Sequence, residues 1–191
     1  MEDRNEGKEM GNKKFSLRFV LLGIGLVVLL LIVGFFLLSK NQEQQEVIEH
    51  VLTAQFSEVD PELIRLLEST ENISVIGNNE NFTPKEDKEL EQYLEQEYKP
   101  YLTEAVYEKY ITAYFLPFKA FSYYANVNFE IKDLVLKKSD HADGTYRFTI
   151  HLSYAEQEEL EVLGLVNVNE ENKISYLEFT QDAGLFESID R

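Results

Sequence analysis

The stretch TYRFTIHLSYA, Thr145 to Ala155, alternates without a break: Tyr146, Phe148, Ile150, Leu152 and Tyr154 on one side, Arg147, Thr149, His151 and Ser153 on the other. A period of two is that of a strand with one face buried and one in water. Related patterns lie on both sides of it. Val127, Phe129 and Ile131 alternate upstream, followed by Leu134, Val135 and Leu136. Downstream come Leu160, Val162, Val166 and Val168, then Ile174, Tyr176, Leu177 and Phe179. The connections SDHADG, AEQE and NEENK are hairpin-sized and too short for crossovers. The sequence therefore predicts a four-stranded antiparallel meander over its last third.

The segment before the meander has the period of helices. In QEQQEVIEHVLTAQFS, residues 42–57, Val47, Ile48, Val51, Leu52 and Phe56 share one helical face. Asp60-Pro61 is a restart, Asp as N-cap and Pro in the first turn, leading into Leu63, Ile64, Leu66 and Leu67. Gly77 to Asn81 reads as a loop, and Thr83-Pro84-Lys85-Glu86 as a capping box for a helix carrying Leu90, Tyr93, Leu94 and Tyr98. Lys99-Pro100 interrupts it. A further helix from about Thr103 presents Val106, Tyr107, Tyr110, Ile111 and Tyr114, and Pro117 is expected to end it. Helices first and strands after predict an α+β domain over residues 40–191, with the helices packed on one face of the sheet.

Phe19 to Ser39, FVLLGIGLVVLLLIVGFFLLS, is uncharged throughout. As a helix rising about 1.5 Å per residue it is long enough for a hydrocarbon core of about 30 Å. It exceeds the apolar region of a signal peptide, and no small-residue cleavage pattern follows it. Arg4, Lys8, Lys13, Lys14 and Arg18 precede it; after it stands Lys40, and then no basic residue until Arg65. The expectation is a cytoplasmic tail over residues 1–18, a single transmembrane helix over 19–39, and a C-terminal domain outside the cell membrane.

The 191 residues include no cysteine, which excludes disulfides, thiol catalysis and Cys-ligated zinc. Residues 41–191 carry a net charge of −19 within a chain total of −17. Such a surface repels nucleic acid and suits solvation or a basic partner. No GxSxG, HExxH, Walker or GxGxxG pattern occurs, and no cofactor is expected. Asp140-His141-Ala142-Asp143-Gly144 offers three possible ligands, but Asp-Gly is a hairpin turn in its own right, so no metal is expected. Glu156, Glu158, Glu159 and Glu161 read as a solvated hairpin. Tyr107, Tyr110, Tyr114, Tyr123 and Tyr124 belong to a dense aromatic stretch that is either core or a binding surface; buried phenols need partners.

Helices ending in YLTEAVYEKYITAYF, followed by the strands VNFEIKDLVLK, TYRFTIHLSYA, EELEVLGLVNV and KISYLEFTQ, resemble the nuclear-transport-factor-like (cystatin-like cone) superfamily. With the membrane run in front, the order is similar to that of TcpC-type assembly proteins of conjugation and type IV secretion machines. The resemblance implies a curved four-stranded sheet and a domain that self-associates and joins other cell-envelope membrane proteins. It also implies a cavity, which in enzymatic members of the superfamily holds an acid or base. His151, on the polar face of its strand, is the candidate for such a pocket beside the tyrosines. The functions expected are therefore a membrane-anchored interaction module with no enzymatic activity, a ligand-binding or sensing domain, or an isomerase-like enzyme.

Overall fold

The structure, a computed structural model, describes residues 9–69, 88–154, 158–182 and 184–185; in these, side chains are described from residue 26 onward, except 27, 36–38 and 158. The loop and capping box expected within residues 77–86 lie outside the described residues. The chain divides into two units, Met1–Gln42 and Glu43–Arg191.

Helix α1 runs from Glu9 to Phe56. In the first unit, Leu26, Leu29, Leu30 and Leu31 are exposed, as are Val28, Ile32, Val33 and Phe35. Among the described residues no helix is long and apolar enough to cross a membrane. Eleven side chains of the expected span (19–25, 27 and 36–38) lie outside the described residues.

The second unit is α+β. Residues from Glu43 onward in α1 contribute Ile48, Val51, Leu52, Gln55 and Phe56, all fully buried. Helix α2, Pro61–Leu67, starts as its sequence requires: the Asp60 carboxylate accepts hydrogen bonds from the Glu62 and Leu63 N–H groups, and Pro61 fills the first position. Helices α3, Lys88–Tyr98, and α4, Glu104–Lys109, follow. Pro117 does not end the helix that α4 begins. The chain continues through a π-helical segment, Tyr110–Phe115, into α5, Leu116–Tyr124, with Pro117 in the first turn of α5. Proline is tolerated there because its missing N–H belongs to a turn with a new hydrogen-bond register. Gln55 Nε2 donates 3.1 Å to the Tyr114 carbonyl on this segment.

Strands β1 (Phe129–Lys138), β2 (Thr145–Tyr154), β3 (Glu158–Val168) and β4 (Ile174–Gln181) pair antiparallel in the order β1-β2-β3-β4, the meander that alternation predicts. Tyr146, Phe148, Ile150 and Leu152 are buried, while Arg147 and His151 are exposed. A register shift between Ile131 and Asp133 explains the broken alternation of β1. Ile131 pairs with Leu152, and beyond the shift Leu134 pairs with Ile150 and Leu136 with Phe148, so all three face the core. Val127 stands before the strand. The helices cover this inner face: Phe56 meets Phe118 and Phe179 edge-on, at centroid distances of 5.2 and 6.1 Å.

Gly164 makes the inner face possible. It lies opposite Phe148, and a Cβ on it would stand 2.1 Å from Phe148 Cζ and 2.3 Å from the Glu178 carbonyl oxygen. The Phe148 ring occupies that space and meets Phe179 at 5.6 Å. Gly164→Ala is expected to destabilise the domain by about 2–3 kcal/mol through overpacking, measured by denaturant unfolding. A loss below about 0.5 kcal/mol, the range of neutral surface changes, would contradict this packing.

Candidate functional site: a tyrosine-lined cleft beside β4

Where α4 and the π-helical segment pass β4, a cleft of about 210 Å³ opens between Val106, Lys109, Tyr110, Tyr114, Tyr176 and Leu177, with Ala105 and Ser175 completing its wall. The spacing of residues 106, 110 and 114 puts them on one side of the helical stretch, and α4 runs directly into the π segment.

Most polar groups of this cleft are engaged within the fold. The buried Tyr110 hydroxyl donates to the Val51 carbonyl at 3.3 Å, and burial pushes its pKa well above that of a free phenol. Ser175 Oγ donates to Asn167 Oδ1 at 2.8 Å. The Tyr176 hydroxyl donates to the Glu178 carboxylate, which raises the phenol pKa. Tyr114 packs edge-on against Phe179 at 4.9 Å. Lys109 Nζ sits 5.6 Å from the Tyr114 ring centroid and, among the described residues, makes no ion pair. This arrangement offers aromatic faces and one cation. It can hold an apolar group, but it contains no acid–base pair poised for proton transfer.

Of the site residues singled out by sequence, Tyr110 and Tyr114 line this cleft and Tyr107, Tyr123, Tyr124 and His151 do not. Tyr107 is half-buried, with Lys99 Nζ 5.2 Å from its ring centroid. Tyr123 donates 2.5 Å to Glu68 Oε1, and Tyr124, 55% exposed, touches the Tyr123 ring at the end of α5. His151 lies on the outer face of the sheet, away from the helices, with Nδ1 4.0 Å from Glu161 Oε2. Among the described residues no group of three His, Cys, Asp or Glu could hold a metal ion.

Two further features were not singled out. A shallower cleft of about 410 Å³ is lined by Glu43, Glu46, Val47, His50, Tyr101 and Asn172, with the His50 and Tyr101 rings 4.1 Å apart. Lys119, 2% exposed, donates from Nζ to the Ser57 carbonyl at 2.6 Å, just beyond the C-terminus of α1. Burial pulls its pKa down to about 8, partly offset by the Asp60 charge. Its spacing from Phe115, Phe118 and Ser122 marks it as facing inward, a signal present in the sequence.

No known protein family, curated protein or solved structure matches this chain.

Because the folded-state pKa of Lys119 is depressed, the unfolded chain binds more protons between about pH 8 and pH 10.5. Stability contributed by this site should therefore rise over that range, by at most about 3 kcal/mol. Buried phenols such as Tyr98 and Tyr110, with raised pKa, oppose it above about pH 10, where unfolded tyrosine ionises. Unfolding free energies measured from pH 7 to 10 should climb more steeply for the native chain than for Lys119→Met. Parallel curves would show that Lys119 is not desolvated.

Proposed function

We propose that this chain is a membrane-anchored interaction module: a cytoplasmic tail, a single transmembrane helix over Phe19–Ser39, and an acidic α+β domain outside that binds other cell-envelope membrane proteins. The observation that carries this reading is the band of exposed apolar side chains from Leu26 to Phe35, with Leu31 68% and Phe35 71% exposed. An apolar surface of that density needs a covering, and lipid supplies one for an uncharged helical run of this length. The basic residues ahead of it favour an inside N-terminus.

The order of helices followed by a meander supports the resemblance to the nuclear-transport-factor-like cone, and with it the expectation of an assembly subunit. A binding role fits the tyrosine cleft better than a catalytic one. Burial of Tyr110 and the Glu178 carboxylate beside Tyr176 hold these two phenols in their neutral form, and the Ser175 hydroxyl serves the fold. At about 210 Å³ the cleft falls below the roughly 300–1,000 Å³ of small-molecule sites. It suits one anchoring side chain of a protein partner, so a sensing domain for a small ligand is the second reading and an isomerase-like enzyme a distant third.

The anchor is tested by alkaline carbonate extraction of cell membranes. The native chain should stay in the pellet. Leu29→Arg with Leu30→Arg should release it or prevent its accumulation, since each Arg costs roughly 2.5–3.5 kcal/mol at the centre of a membrane helix. In spheroplasts, added protease should remove the C-terminal domain and spare an N-terminal tag. A native chain recovered wholly in the soluble fraction would refute the anchor.

A further inference from the structure

The tyrosine cleft lies along an open sheet edge. β4 ends the strand order, and its far edge is paired at the start: the Ile174 N–H donates to the Tyr101 carbonyl at 2.8 Å, and the Ile174 carbonyl accepts from the Thr103 N–H at 2.9 Å. Leu102 and Ile174 form a parallel bridge there. The chain then leaves the edge, because α4 begins at Glu104. The cleft opens where helix and strand part, with Ala105, Val106 and Lys109 on one wall and Tyr176 and Leu177 on the other. The pairing fixes what Leu177 presents. The Val168 N–H donates to the Gly144 carbonyl, on the β2 side of β3. Alternate residues of a strand turn the same way, so Val166 also faces β2. Leu177 is the β4 partner of Val166, so its N–H and carbonyl point away from β3, to the open edge. Among the described residues nothing pairs with them. Leu177 is nonetheless only 4% exposed, and buried backbone groups are as a rule paired. Lys109, exposed on α4, makes no ion pair among the described residues.

We propose that an extended segment of a partner protein adds to this edge as a further strand. It pairs with the Leu177 backbone, places one large apolar side chain in the cleft and sets a carboxylate against Lys109. This deepens the reading of the domain as an interaction module and rests on it. In strand addition the main-chain hydrogen bonds give affinity, and pockets for alternate side chains give specificity. A cleft of about 210 Å³ takes a single side chain, and the edge beside it supplies the rest of the contact. The cation selects a carboxylate close to the apolar anchor. The chain's net charge of −17 opposes a partner with many. At physiological salt that repulsion is screened beyond about 8 Å, so the local pair with Lys109 decides the contact. The occupant is therefore a strand-forming, mostly uncharged segment with an acidic residue near its anchor.

The test selects short random peptides, displayed on phage, against the full-length chain. Enriched peptides are then synthesised and their Kd measured by fluorescence anisotropy. They should share an aromatic or aliphatic residue with Asp or Glu close by. Lys109→Glu should weaken them about tenfold or more by repelling the carboxylate, and Ala105→Trp by filling the cleft. Both positions are exposed, so both variants should fold, which circular dichroism and the denaturant midpoint check. Methylating the peptide amides one at a time should lower affinity at alternate positions, those that face β4. No enrichment, equal binding by both folded variants, or indifference to methylation at every position would each overturn the proposal. So would benzoate binding the cleft as tightly as the peptides, which would make it a small-molecule site, or a dimer of the purified chain lost on Ala105→Trp, which would make a second copy the occupant. In cells, envelope proteins that crosslink equally to the native chain and to both variants would sink this edge and leave the interaction module standing.

Discussion

The turns of α1 from Gln44 to Phe56 are the contact on which the α+β unit depends. Ile48, Val51, Leu52 and Phe56 present a fully buried apolar face, and the same turns carry the polar ties that position what surrounds them. Gln44 accepts from the Tyr146 hydroxyl on β2 at 3.0 Å; Val51 accepts from Tyr110; Gln55 donates to Tyr114. Lys119 on α5 reaches the Ser57 carbonyl at the end of the same helix. Burying a cation is costly, but a helix C-terminus is where an ammonium group is best tolerated. One helix thus fixes the middle of the sheet, the π-helical segment and α5 together. Loss of its packing would open all three.

The tyrosines divide between the core and the cleft. Tyr110 and Tyr98 lie in the core with their rings 5.8 Å apart, and Tyr110 spends its hydroxyl on a backbone acceptor. Tyr114 and Tyr176 keep part of their surface in the cleft. The π-helical segment sits between α4 and α5, where an α-helix would meet Pro117 in its interior. π segments recur at binding sites because the widened turn alters the direction in which neighbouring side chains leave the helix. Here it places Tyr110 inward and Tyr114 at the cleft, four residues apart.

The strands were legible because each has one buried face, and a period of two survives wherever the register is regular. Where β1 and β4 depart from it, at Ile131/Asp133 and opposite Asn167/Val168, the pattern breaks in sequence as well, but only pairing shows that the break is a bulge. The start of α2 was legible from Asp60 and Pro61 because capping is local chemistry. Continuation of the helix past Pro117 was not, since it depends on contacts with α1 some 60 residues away. Half of the candidate site was legible. Residue spacing placed Tyr110 and Tyr114 on one face, whereas Ser175, Tyr176 and Leu177 come from β4 and join them only through the fold. His151 separated from the tyrosines because a strand sends alternate residues to opposite faces.

The proposed membrane tether, with the acidic domain and a cleft sized for a side chain, is the reading of a protein that holds others. The most direct measurement is crosslinking in living cells of the full-length chain, followed by purification and mass spectrometry of what is attached. The account predicts discrete envelope proteins, lost when residues 43–191 are removed and the anchor is retained. If those proteins attach equally to the anchor alone, or if only copies of this chain are recovered, the domain is not a recognition module for the envelope.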